Sequence, residues 1–178
     1  SMTGGGKVIA GSGISVTGGS AVPTGGTSTP TGDTVSPTIV SIAASGSGVT
    51  GGTGNLNAGD VVSLAVTFSE AVAVSGGTPI LVLNDGGTAT YSSGSGTTTL
   101  VFSHTVQSGQ NIADLAVTSL ALNGAALKDA AGNTANTAAA SGYNPAGTLR
   151  IDTAAPGVAS IATAGPSLTA GSGTVGAG

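Results

Sequence analysis

The sequence predicts an all-β fold, an antiparallel β-sandwich with Greek-key connections and about seven strands. Three observations predict it. Residues 61–70 alternate: Val62, Leu64, Val66 and Phe68 fall on one face, Ser63, Ala65, Thr67 and Ser69 on the other. That is the period of a half-buried strand. Further short apolar runs follow, separated by Gly, Asn, Asp and Ser, at the spacing expected of a sandwich of roughly 100 residues. Finally, Asp33-Thr34-Val35-Ser36-Pro37 returns as Asp152-Thr153-Ala154-Ala155-Pro156, an offset of 119 residues. A fixed period of this kind marks a tandem array.

Laid over each other without gaps, residues 33–59 and 152–178 share 12 of 27 positions. Chance explains some Gly, Ala and Thr matches in such a composition. It does not easily explain the spaced matches Asp33/Asp152, Pro37/Pro156 and Ile42/Ile161. The chain is therefore expected to divide into three parts. Residues 1–32 are a Gly/Ser/Thr-rich linker or extra strand, 33–151 a complete repeat, and 152–178 the truncated start of the next. Ser1-Met2 reads as a remnant of cloning, so the parent protein is expected to be longer.

The elements follow in order. Lys7 to Thr17 contains β-like pieces, Val8-Ile9 and Ile14-Ser15-Val16, and matches no part of the repeat, so it reads as a spacer or an independent strand. Ile39 to Ile42 is the first strand, placed just after Pro37. Residues 46–59 form a turn-rich loop, and Val61 to Glu70 is the second strand. Pro79 to Leu83 is the third, closed by Asn84-Asp85-Gly86-Gly87, a hairpin signal that returns the chain through Thr88 to Tyr91. Thr97 to Val106, Leu115 to Leu122 and Gly147 to Ile151 complete the set. Ala138-Ala139-Ala140 has Gly and Asn neighbours, which argues against helix. The expected core is Ile39, Ile42, Val62, Leu64, Val66, Phe68, Ile80, Val82, Leu100, Phe102, Leu120, Leu149 and Ile151.

Composition excludes several functions. Lys7, Lys128 and Arg150 are the three basic residues, too few to neutralise a phosphate backbone, so nucleic acid is not an expected partner. No apolar run has the length of a membrane-spanning helix, and no membrane insertion is expected. Cysteine is absent, which removes disulfides, zinc-thiolate sites and a cysteine nucleophile. The one histidine, His104, has no nucleophile and acid placed with it by any motif. No glycine-rich run follows a strand and opens a helix, so a phosphate cradle is not expected either. The sequence is read as that of a non-enzyme.

Phe68-Ser69-Glu70-Ala71-Val72, residues 89–96, residues 120–124 and Asp129-Ala130-Ala131-Gly132-Asn133 together resemble the bacterial immunoglobulin-like repeats of large surface proteins and repeat adhesins. The Asp-Thr-x-x-Pro boundary fits the same family, and the resemblance covers residues 33–156. It implies an immunoglobulin-like sandwich at the cell surface or outside the cell, a spacer role, and export without a cleaved signal. His104 departs from it, standing where such repeats often carry an aromatic, and is read as a packing substitution.

The chain has seven acids, and alternating strand directions sort them to two poles. Asp60, Asp85, Asp114 and Asp152 fall at one pole; Asp33, Glu70 and Asp129, with Asn133, fall at the other. Oxygen ligands gathered from loops suit calcium, which takes 6–8 of them. The first set is the first choice of site and the second set the alternative. Asp and Asn also favour turns for their own reasons, and that reading stays open. Lys128, Asn133 and Glu70 supply the residue types of an intramolecular Lys–Asn crosslink, but in loops.

The function expected is a structural spacer in a bacterial surface adhesin, with neighbouring repeats as partners. Two rivals are a glycan-binding module using Tyr91 or Tyr143, and a subunit that self-associates head to tail by strand addition. The second arises because Val158 to Ala162 begins a repeat that this chain does not complete.

Overall fold

The computed structural model describes residues 32–162. The expected β-like segment Lys7 to Thr17 and the second-repeat residues 163–178 lie outside them. Ten strands are present: β1 (Ile39–Gly46), β2 (Gly54–Leu56), β3 (Val61–Gly76), β4 (Ile80–Leu83), β5 (Thr88–Ser93), β6 (Thr97–Thr105), β7 (Asn111–Ile112), β8 (Val117–Ala121), β9 (Ala125–Lys128) and β10 (Leu149–Asp152). Residues Ala138–Ala140 form one 3-10 turn. Among the described residues no helix is long and apolar enough to cross a membrane.

Two sheets pack as a sandwich. The larger runs β1-β3-β6-β5-β4-β8, with β9 added to β3, and the smaller runs β2-β10-β7. Pairing is antiparallel throughout the larger sheet, but β10 pairs with β2 in parallel. The fold is thus all-β without being wholly antiparallel. Seven of the ten strands are those expected. The other three, β2, β7 and β9, are two to four residues long, too short to show a hydrophobic period, and they lie where the sequence reads as loop.

Strand β3 buries Val62, Leu64, Val66 and Phe68. It continues beyond Glu70 because its far half, Ala73 to Gly76, finds β9 as a new partner. The register with β6 shifts between Thr67 and Val72. Glu70 therefore lies inside a strand, at its irregularity, and not in a loop.

The core is contiguous and includes Ile39, Ile42, Leu56, Leu100, Phe102, Leu115, Val117, Leu127, Leu149 and Ile151. Tyr91 meets Phe102 edge to face, with ring centroids 5.9 Å apart, the arrangement favoured by the ring quadrupoles. In β4 the expected parity is corrected. Leu81 and Leu83 are buried, while Ile80 and Val82 are half-buried. Every residue from Pro79 to Leu83 is apolar, so periodicity cannot choose between faces. The cross-strand pair Leu81–Ala89, buried on both sides, makes the choice. Leu120 is likewise only partly buried against the core.

The register fixes where the chain enters and leaves. Strand β1 begins opposite Phe68 and ends opposite Val62. The pole at Ile39 and Phe68 is the upstream pole, and the pole at Gly46 and Val62 the downstream one. Val61 pairs with Thr105, so β6 also ends downstream. After β10, Thr153 donates its N–H to Asn111 Oδ1 (2.8 Å) and accepts from Gly109 N (2.9 Å), in the turn that follows β6. The domain is entered at one pole and left at the other. Residues 153–162 form no strand, and Val158 and Ile161 are 80% and 86% exposed.

The corrected parity is testable by denaturant unfolding. Leu81→Ala is expected to cost about 2–5 kcal/mol, the range for truncating a buried leucine. Val82→Ala, on the other face, should cost within about 1 kcal/mol. Equal losses would restore the original parity.

Candidate functional site

The upstream pole gathers three acids from three parts of the chain. Asp33 precedes β1. Its Oδ1 accepts from Val35 N (2.9 Å), an Asx turn that the short aspartate side chain favours. Pro37 is buried just beyond, and its carbonyl accepts from Asn136 N (2.7 Å). Thr38 then joins β3 through two bonds, Thr38 N to Ser69 Oγ (3.0 Å) and Ser69 N to Thr38 O (2.8 Å). Glu70 follows on β3. Asp129 follows β9 in a tight loop, where Gly132 N donates to Asp129 O and Asp129 N to Asn133 O.

Asn133 is the clasp of this pole. Its backbone N–H donates to Asp129 Oδ1 (2.8 Å), and its carboxamide Nδ2 donates to Asp129 Oδ2 (2.8 Å) and to the Asp33 carbonyl (3.2 Å). The loop after β9 is thereby tied to the segment before β1. Carboxylate oxygens of Asp33, Glu70 and Asp129 all lie within 4.8 Å of one another, the one such group of three among the described residues.

The electrostatics of the cluster are divided. Desolvation, followed by the charges of Asp33 and Asp129 and a hydrogen bond to Asp33, pushes the Glu70 carboxyl above its ordinary value of 4.5. Asp129 goes the other way. Burial opposes its charge, but the side-chain and backbone donors of Asn133 and the backbone N–H groups of Gly132 and Ala131 hold it below its ordinary 3.8. One carboxylate is stabilised by donors, and its neighbour resists ionisation for want of a counter-charge. Three carboxylates offer up to six oxygens, and each oxygen bonded to Asn133 keeps a further lone pair. Such a donor set fits a hard divalent cation of the calcium type.

Asp60, Asp85, Asp114 and Asp152 stand toward the downstream pole but do not converge. Asp60 Oδ2 accepts from Asn57 N (2.8 Å). Asp114 accepts from Leu149 N (2.9 Å) and from Asn144 Nδ2 (2.9 Å), pinning the loop before β10. Asp152 pairs with Arg150 (2.7 Å) and accepts from Ala154 N (3.1 Å). Asp85 is taken up by the histidine. Each of the four closes its own turn.

His104 is 2% exposed on β6, and the Asp85 side chain is fully buried. His104 Nε2 lies 3.1 Å from Asp85 Oδ2, and Nδ1 lies 3.0 Å from the Thr88 carbonyl. Both ring nitrogens are committed to the β4–β5 hairpin. His104 is thus a polar tie as well as a packing residue. Tyr91, half-buried, is also engaged, since its hydroxyl accepts from Ser95 N (2.9 Å). Tyr143 is half-buried at the edge of a groove of about 400 Å³ beside β1. Neither ring stands out as a platform. Lys128 is exposed, whereas the Asn133 carboxamide is spent on Asp129 and Asp33.

The latch of Asn111 and Gly109 on Thr153 has no signal in the sequence, because its partners lie 42 and 44 residues apart. Comparison of the chain with protein-family models, curated proteins and solved structures finds no match. What can be said of it rests on its own topology and chemistry.

The two pKa directions give opposite pH dependences. Glu70 binds its proton more tightly in the folded state, so it costs stability as pH rises through its folded value. Asp129 contributes stability that is lost as pH falls through its folded value. Without divalent ions, Glu70→Gln should therefore melt higher than the parent at pH 7, and the difference should shrink as pH approaches 4.5. Asp129→Asn should melt lower at pH 7. Thermal melts of the three proteins across pH 3–8 check both signs.

Proposed function

We propose that the domain is a structural spacer, one repeat of a tandem stalk in a bacterial cell-surface adhesin, of immunoglobulin-like, Greek-key type and without catalysis. The placement of its two ends carries this reading. Repeats entered at one pole and left at the other extend a chain, and each adds the length of its strands. Val61 to Glu70 alone spans about 30 Å. The spatial order β3-β6-β5-β4, a three-strand meander with the preceding strand laid against its last member, supports the Greek-key assignment.

The local structure of the boundary motif supports tandem use. Asp33 and Asp152 make the same Asx turn, to Val35 N and Ala154 N. Downstream, Thr153 is latched to Asn111 and Gly109. Upstream, the equivalent stretch is clasped by Asn133 and buried at Pro37. A motif gripped by the repeat before it and by the repeat after it leaves no free linker, which suits a stalk. Low charge and a surface of Thr, Ser, Asn and Gly suit an extracellular setting.

We assign calcium to Asp33, Glu70 and Asp129. A cation there relieves the repulsion that raises Glu70 and braces the pole at which the preceding repeat joins. Thermal melting in EDTA and then in calcium tests it. At a hundredfold excess over Kd the midpoint should rise by roughly 10 °C. Glu70→Gln should raise the midpoint in EDTA and remove most of the calcium response. An unchanged parent midpoint would leave the three acids as turn and strand residues.

A further inference from the structure

The chain holds two copies of one strand and a single described slot for it. Residues 33–43 are built into the domain. Ile39 and Ile42 are 8% and 2% exposed, although three positions apart, because β1 shifts register between Ile39 and Ser41. A regular strand would send them to opposite faces. Residues 152–162 carry Val158 and Ile161 at the same spacing, after the same Asp-Thr-x-x-Pro and the same Asx turn, yet both side chains are in solvent. Their spacing fits the kinked β1 slot and not a plain sheet edge.

The glycines strengthen the equivalence. Gly46, Gly52 and Gly54 stand where a Cβ would run into the backbone oxygens of Val61, Ala146 and Gly48. The later segment has glycine at each matching position, Gly165, Gly171 and Gly173. Gly48 and Gly51, where a Cβ meets open space, are matched by Ser167 and Ala170. Identity follows the demands of the β1–β2 slot rather than composition.

We propose that residues 152–178 of one molecule take the place of residues 33–59 in a second copy of this chain, joining the two head to tail by strand exchange. Asp152, Pro156, Val158 and Ile161 then occupy the positions of Asp33, Pro37, Ile39 and Ile42. The donor tail leaves its own domain at the downstream pole, while the slot begins at the upstream pole, so the occupant comes from another molecule. The resident β1 has the advantage of its tether, and exchange requires β1 to detach first. The contact is heterologous and does not close, so further copies add in a line. This rests on the tandem reading above but not on calcium. The crosslink below is read in EDTA and in calcium alike, so it can fail or succeed whatever the calcium melt shows.

The absence of cysteine gives a clean test. Ser41 pairs with Thr67 across β1 and β3, and Ser160 is the equivalent of Ser41. The full chain carrying Thr67→Cys and Ser160→Cys is unfolded, refolded at high concentration and oxidised. Disulfide-linked oligomers are expected, forming at least about tenfold faster than with Thr99→Cys and Ser160→Cys, since a seated strand raises the effective concentration of its partner. Thr99 lies on the same face, one strand further from the slot. Ile161→Asp should abolish the linkage while leaving the monomer's melting midpoint unchanged. Linkage no faster at position 67 than at position 99, or insensitive to Ile161→Asp, would overturn the proposal.

Discussion

The structure depends on β3 being shared among three partners. Its first half is flanked by β1 and β6, and its second half, after the register shift between Thr67 and Val72, pairs with β9. This places the candidate site. Asp33 arrives with the segment that leads into β1, Asp129 with the segment that leaves β9, and Glu70 lies on β3 between the two. Segments nearly a hundred residues apart in sequence meet because each is a neighbour of a strand paired to β3. The clasp by Asn133 then holds the meeting point.

A core of small side chains leaves more of the folded state to polar ties. The chain has two phenylalanines and no tryptophan, so few residues bury large apolar area. Turns are closed instead by side-chain oxygens on backbone donors, as at Asp60, Asp85, Asp114 and Asn84. The buried His104–Asp85 pair belongs to the same economy. A buried polar group left without a partner is costly, and here no buried side-chain nitrogen or oxygen of the described residues lacks one. Glycine permits the remaining close approaches, as where Gly52 lies against the Ala146 carbonyl.

Much of this was legible in the sequence. Long alternating strands announce themselves, and β3 and β6 stand where their periods put them. The β4–β5 hairpin follows from Asn84-Asp85-Gly86-Gly87. Parity was illegible in the uniformly apolar Pro79 to Leu83, and two- or three-residue strands such as β7 and β2 have no period to read. The acids sort to their poles because strand direction alternates. Which of them converge depends on β9, a strand the sequence hides behind Asn123-Gly124. The same gap made Glu70 look like the end of a strand, when it marks the kink within one.

The two ends of the domain bring these threads together. A stalk needs each repeat to grip the next without slack, and the Asp-Thr-x-x-Pro stretch is gripped from both sides: by Asn111 and Gly109 after β10, and by Asn133 and Ser69 before β1. The same construction makes the strand that follows it transferable. A segment that folds only against the next slot carries its apolar side chains, Val158 and Ile161, in solvent until a slot is reached. Covalent order normally supplies that slot. Where it does not, a second molecule offers one of the same shape, and the continuity that stiffens an array becomes a means of joining separate chains.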